Sequence, residues 1–268
     1  MKKLLLWLEA PLQAWGADSR FGRRDTLPFP TRSGILGMLC CAMGRGDEQR
    51  EWLAAMKGLD QTVVAYAREK KNKEALRQPL LRDFHMIGSG YDRNDNWQDM
   101  LIPKKADGTR PVGAGTKLTH RYYLQDMAFA CVLDVPDALC GELERGLAAP
   151  VWPVFLGRRA CVPTDVIFRG FFDGEDSAFA CAADIAAEKK RKAIFKVLGG
   201  RHDEGTVMTL NDVPLCFGLR KRFEERLVTV AEIEPPEDPS RAGEEEESAG
   251  ESSEAERKTG RYSADPAP

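Results

Sequence analysis

The chain carries only three histidines, His85, His120 and His202, and they fall in separate stretches. It has no HExxH helix, no Walker-type phosphate loop and no GxSxG elbow, so zinc-hydrolase, P-loop and serine-hydrolase chemistry have no carrier. The seven cysteines form no CxxC pair. Cys40 and Cys41 are adjacent, a spacing that suits no tetrahedral metal site. Most of the others sit among apolar neighbours such as Ala130 and Val132, where a thiol is a small core group. Their odd number favours a reducing, cytoplasmic location. No apolar run approaches membrane-spanning length. Met1-Lys2-Lys3 followed by Leu4 to Leu8 resembles a signal peptide only briefly, because the run is short and Glu9 ends it without a small-residue cleavage site. The expectation is a protein with no metal ligands, no cofactor and no membrane partner.

Strong net charge is also missing: the formal value is −3 over 268 residues. That average hides a split. Residues 235–268 hold ten carboxylates and four cations, which leaves the preceding 234 residues at +3. The body is mildly basic, so only local clustering of its arginines can make a polyanion surface. The tail is Glu, Ser, Pro and Gly with almost no large apolar residues, and is expected to be disordered because burial cannot offset its ordering entropy.

What is present is a 43% apolar chain, long enough for one sizeable core. Leu4 to Ala10 reads as a buried strand and Ser33 to Met43 as a helix capped by Thr31 or Ser33. Asp47 to Leu59 reads as an amphipathic helix, with Trp52, Leu53 and Met56 on one side. Strands are expected at 62–68, 80–87 and 122–135, then a helix at 136–149 with Leu139, Leu143 and Leu147 aligned. This order approaches the split βαβ pattern of ferredoxin-like and RRM domains. The fold class is therefore α+β. A domain over residues 1–150 carries a projecting insertion at about 88–118, which is Gly-, Asn-, Asp- and Lys-rich and lacks a core face. Residues 151–234, with short β-like pieces at 166–172, 206–210 and 226–233, read as a small β-rich unit.

Candidate chemistry is that of nucleic-acid binding. Phe29-Pro30-Thr31-Arg32-Ser33-Gly34 runs straight into a helix, where free N–H groups, two hydroxyls and an arginine make a phosphate site; ordinary helix capping uses the same residues. Arg20, Arg23, Arg24 and Arg32 lie close in sequence to Trp15 and Phe21, pairing guanidinium forks with aromatic faces as single-stranded RNA recognition requires. Arg158 and Arg159 add a pair after the Trp152-Pro153 turn. The insertion carries Tyr91, Trp97, Lys104, Lys105, Arg110 and Lys117. A metal-independent ribonuclease is conceivable around Lys117 and His120, with Asp83 and His85 nearby if their strands pair.

Five stretches, in order and spacing, resemble the CasD-type subunits of type I-E CRISPR Cascade, members of the RAMP superfamily. They are Pro11-Leu12-Gln13-Ala14-Trp15-Gly16, Phe29 to Gly37, Leu81-Arg82-Asp83-Phe84-His85, Arg121 to Phe129, and Phe155-Leu156-Gly157-Arg158-Arg159-Ala160-Cys161. The resemblance spans residues 3 to 233. It implies an RRM-like domain, a thumb hairpin and a small β-rich C-terminal part. The implied task is non-catalytic gripping of the crRNA 5′ handle, bridging a backbone RAMP subunit and the large PAM-reading subunit, with target DNA engaged through the complex. By the same resemblance Thr31, Arg32 and Ser33 lie near handle phosphates and Arg121 at the thumb base. Arg158 and Arg159 lie at the RNA or a subunit interface, and Trp15, Arg20, Arg23, Arg24, His85, Lys104, Lys105, Arg110 and Lys117 complete the expected RNA-binding set. Type I-C relatives cleave RNA with Tyr, Lys and His, which keeps crRNA-processing endoribonuclease activity as the alternative.

Overall fold

The computed structural model describes residues 1–16, 19, 22–69, 75, 77–87, 94–97, 107–109 and 117–233. Arg20, Lys104, Lys105, Arg110, most of the expected thumb and the acidic tail from Pro235 lie outside these residues, as does the side chain of Lys117.

The chain begins with β1 (Lys2–Gln13), where Leu4, Leu5, Leu6, Trp7 and Leu8 are all completely buried. An unbroken apolar run of this kind marks a strand covered on both faces. Two short pieces, β2 (Trp15–Gly16) and β4 (Thr26–Leu27), pair with each other, and β3 (Arg23–Arg24) lies between them in sequence. Helix α1 (Arg32–Ala42) follows, then the single-surface helix α2 (Arg50–Met56), which buries Trp52, Leu53 and Met56. Strands β5 (Gln61–Arg68), β6 (Leu81–Ile87) and β7 (Lys117–Val135) come next, then α3 (Asp137–Ala148) and β8 (Phe168–Phe172). The chain continues through α4 (Glu175–Glu188), β9 (Arg191–Gly199), β10 (Thr206–Cys216) and β11 (Arg222–Glu232).

The main sheet runs β10-β11-β9-β5-β7-β1-β8 with every neighbour antiparallel. At its centre the order β5-β7-β1-β8 means that each helical crossover, β1 to β5 and β7 to β8, spans one intervening strand. Helices α1, α2 and α3 cover one face, where Ile35, Leu36, Leu39, Leu53 and Leu143 meet Leu4, Leu6, Leu8, Phe129 and Leu133. Helix α4 covers the other face. Its Ala178, Ala182 and Ala186, spaced four apart, face Leu5, Trp7, Val64, Tyr66 and Ala130; methyl side chains let the helix lie close to the strands.

Residues 151–233 depart from the expected separate unit. β8 extends the sheet at one edge through β1, and β9 to β11 extend it at the other through β5, so residues 1–233 form one body. The physical reason is that β1 and β5 are too apolar on both faces to serve as edges. Burial pushes the Cys40 and Cys131 thiols up to about 12, which leaves them as inert core groups. Among the described residues no helix is long and apolar enough to cross a membrane, and no cluster of three metal-ligating side chains occurs.

Candidate nucleic-acid interface

Three of the sequence stretches meet at one cleft of about 350 Å³, lined by Gly16, Arg24, Asp25, Gly34 and Arg158 and also by Phe217 and Phe223. Local backbone chemistry brings them together. The Ala14 N–H donates to Leu156 O at 3.2 Å, and the 155–161 loop is closed by Leu156 N to Cys161 O and Cys161 N to Arg158 O, each 2.8 Å. Gly157 adopts φ +99, and a Cβ there would stand 1.7 Å from Ala14 O. Only glycine lets the two loops touch. Gly34 is the second close approach: a Cβ would come within 2.9 Å of the Trp15 ring.

Trp15 was expected to offer an aromatic face to RNA; instead it is 1% exposed. Its Nε1–H donates to Gln13 Oε1 at 3.2 Å, and Gln13 in turn donates to Leu8 O and Met127 O. A buried indole needs such a partner, and Trp15 serves as the wedge that sets α1 against the sheet. Thr31 is likewise buried. Its hydroxyl caps α1 by accepting from Gly34 N at 3.1 Å, and Ser33 lines the cleft half-exposed.

Arg32, expected near phosphates, is instead buried. Its guanidinium turns into the core and donates to Met56 O at 2.6 Å, while its backbone N–H donates to Asp212 Oδ2 at 2.7 Å. Burial lowers its pKa, the Arg226 cation adds to this, and Asp212 opposes it. Asp212, itself bidentate with Arg226 at 2.7 and 3.0 Å, thus places a carboxylate at the α1 N-terminus, where the sequence suggested a phosphate.

Arg158 is half-buried and stacks 4.7 Å from the centre of the Tyr123 ring. It donates to Tyr122 O at 3.0 Å and Arg24 O at 2.8 Å, tying three segments together with one edge on the cleft. Arg24 and Arg159 are the less committed cations: Arg24 lines the cleft half-exposed, and Arg159 is exposed. Arg23 is exposed, chelates Asp25 at 2.8 and 2.9 Å, and covers the Tyr122 ring at 4.9 Å.

The long strand β7 leaves the main sheet and pairs with β6, while β3 runs parallel on its other side, placing Arg23 opposite His120 and Arg24 opposite Arg121. Arg121 is half-exposed beside this ribbon, across from Asp83. His85 faces Thr119 and His120 faces Phe84, with ring centres 5.5 Å apart. Adjacent positions on paired strands project to opposite faces, so Asp83 and His85 share one side of the ribbon and His120 takes the other with exposed Phe84, Met86 and Leu118. The acid–base group that the sequence allowed is divided by the pleat. Phe217 and Phe223 were not marked by the sequence, since nothing local distinguishes them from core phenylalanines.

A family model described as CRISPR-associated protein (Cas_Cas5) matches residues 3–229. The chain is 30% identical over 179 residues to the CRISPR system Cascade subunit CasD of Escherichia coli (strain K12), covering 65% of this chain and 72% of that one. A chain of a solved CRISPR RNA-guided surveillance complex superimposes with a TM-score of 0.62 at 30% identity, over 86% of this chain and 89% of that one. A crystal structure of a Cas protein shares the fold at a TM-score of 0.51 and 24% identity, over 88% and 99%.

Proposed function

Because the chain belongs to the Cas5 family of CRISPR-associated proteins, we propose that it is the subunit of a Cascade-type surveillance complex that grips the 5′ handle of the guide RNA without cutting it. The observation that carries this reading is the cleft, where the Ala14–Gly16, Thr31–Gly34 and Gly157–Arg158 segments converge around Arg24, with Arg23, Arg121 and Arg159 close by in the same loops and strands. Guanidinium groups beside glycine-lined backbone suit a single strand whose phosphates must approach closely. The similarity to CasD and to a chain of an RNA-guided surveillance complex supports the same assignment. In this reading the β5-β7-β1-β8 core with its two crossovers is an RRM-like body, and the segment at 88–118 is its thumb. A backbone RAMP subunit and a PAM-reading large subunit are the neighbours.

Binding is favoured over endoribonuclease activity because the pleat separates His120 from Asp83 and His85. The test is a salt titration of RNA affinity. Each phosphate neutralised contributes roughly −0.7 to the log–log slope on single strands, so a steep slope is expected and a slope near zero overturns the assignment. Incubation of repeat RNA with the full chain in EDTA is expected to leave its length unchanged. Discrete cleavage lost on His120→Ala would replace gripping by processing.

A further inference from the structure

The cleft has a wall that none of the sequence stretches supplies. Phe217 and Phe223 stand at the two ends of the β10–β11 turn, and both line the cleft. Between them Leu219 is fully exposed and Arg220, Lys221 and Arg222 are all exposed. The turn is held in shape rather than loose. Gly218 sits at φ +74, the Cys216 thiol donates to Arg220 O at 2.8 Å, and Phe217 N donates to Glu48 O at 3.0 Å, anchoring the turn to the segment before α2. Three of the nearby carboxylates are engaged elsewhere, Glu48 with Arg50, Glu224 with Lys57 and Asp212 with Arg226, while Asp47, whose backbone packs on Gly218, and Glu225 are exposed. Among the described residues the three cations of the turn enter no ion pair.

We propose that the β10–β11 turn is an RNA-gripping element: Arg220, Lys221 and Arg222 hold consecutive phosphates of a single strand, and Phe217 and Phe223 receive one of its bases in the cleft. The inference rests on the RNA-binding reading above and adds residues and a division of labour to it. Three unpaired cations in consecutive positions carry a cost in mutual repulsion that a polyanion relieves. Three consecutive cations match a polyanion rather than the charge-depleted centre of a protein–protein contact, and flanking aromatics are what unpaired bases stack on, so the chemistry favours RNA over a protein partner. A cleft of about 350 Å³ is at the small end for ligand pockets and suits a single base with its sugar.

The two contributions separate by salt. The full chain is titrated with a fluorescein-labelled oligouridylate of about eight nucleotides, over a range of salt concentrations. The Arg220→Ala/Lys221→Ala/Arg222→Ala variant is expected to lower the log–log slope by about 2, since each lost phosphate contact removes about 0.7. Phe217→Ala and Phe223→Ala are expected to weaken binding about tenfold each with the slope unchanged. Because the three cations are exposed, the thermal midpoint of the triple variant should equal that of the parent, which excludes misfolding. If the parent binds with a steep slope and the triple variant matches it in slope and affinity, the inference fails while the RNA-binding reading stands. If the parent shows no salt-dependent binding, the broader reading fails first. If the triple variant binds RNA as the parent does but no longer co-purifies with the other subunits, the turn is a protein contact and the inference is likewise overturned.

Discussion

A methyl group added at Gly157 would stand 1.7 Å from Ala14 O on a backbone already at φ +99. Neither the loop nor β1, which is packed on both faces, can yield cheaply. Gly157→Ala is expected to lower the unfolding free energy by about 2–4 kcal/mol, read from the urea midpoint, and to open the cleft. Arginines in this region divide by environment rather than by motif. Arg32→Ala removes the donor to buried Met56 O and should cost about 2 kcal/mol of stability. Arg24→Ala, at a half-exposed cleft position, should change stability by less than about 0.5 kcal/mol while weakening RNA binding. Equal effects of the two substitutions on RNA affinity at matched folding would contradict this division.

Across elements, β1, β7, β9 and the α4–β9 turn are tied by one charged cluster. Arg191, buried at the start of β9, bonds Glu9 of β1 at 2.8 Å and Asp126 of β7 at 3.0 Å, and Lys189 reaches both Glu9 and Asp165. Burial opposes the ionisation of Glu9, but hydrogen bonds from Trp7 and Arg191 outweigh it, leaving its pKa below the ordinary 4.5. Asp126 is similarly held below 3.8: Arg68 and Arg191 overcome its desolvation. For depressed carboxylates the stabilisation is fully present above the unfolded-state pKa and is lost as pH falls through the folded-state value. Urea midpoints should therefore be flat above pH 4.5 and decline below it, with a shallower decline in Glu9→Gln. That cluster was invisible in the sequence because its members lie up to 182 residues apart. The elements it joins were unequally legible. β1, α1, β5, β7 and α3 follow from apolar runs, a cap and helical spacing, and appear within a few residues of expectation. Helix α4 was missed because its buried stripe is alanine, and β9 because Arg191, Lys192 and Lys196 mask its short apolar pattern. At the cleft, the Thr31 cap was readable locally. The Asp212 carboxylate that takes the Arg32 N–H was not, since 180 residues separate them.

At the scale of the molecule, the basic body and the acidic C-terminal segment have opposite charge. Deleting residues 237–268 is expected to leave assembly with partner subunits intact, as measured by co-purification; loss of assembly would give the segment a docking role. The central place of β1 bears on how the protein is made. Leu8 pairs with Phe129, and Leu4 pairs with Phe171, so a strand whose residues 4 to 8 are fully buried precedes both of its neighbours by well over a hundred residues of synthesis. Until they emerge it has no ladder to join, and contacts this distant in sequence close slowly. Nascent chains are then expected to be most prone to clumping before residue 172 leaves the ribosome, so chains truncated ahead of β8 should pellet where the full chain does not.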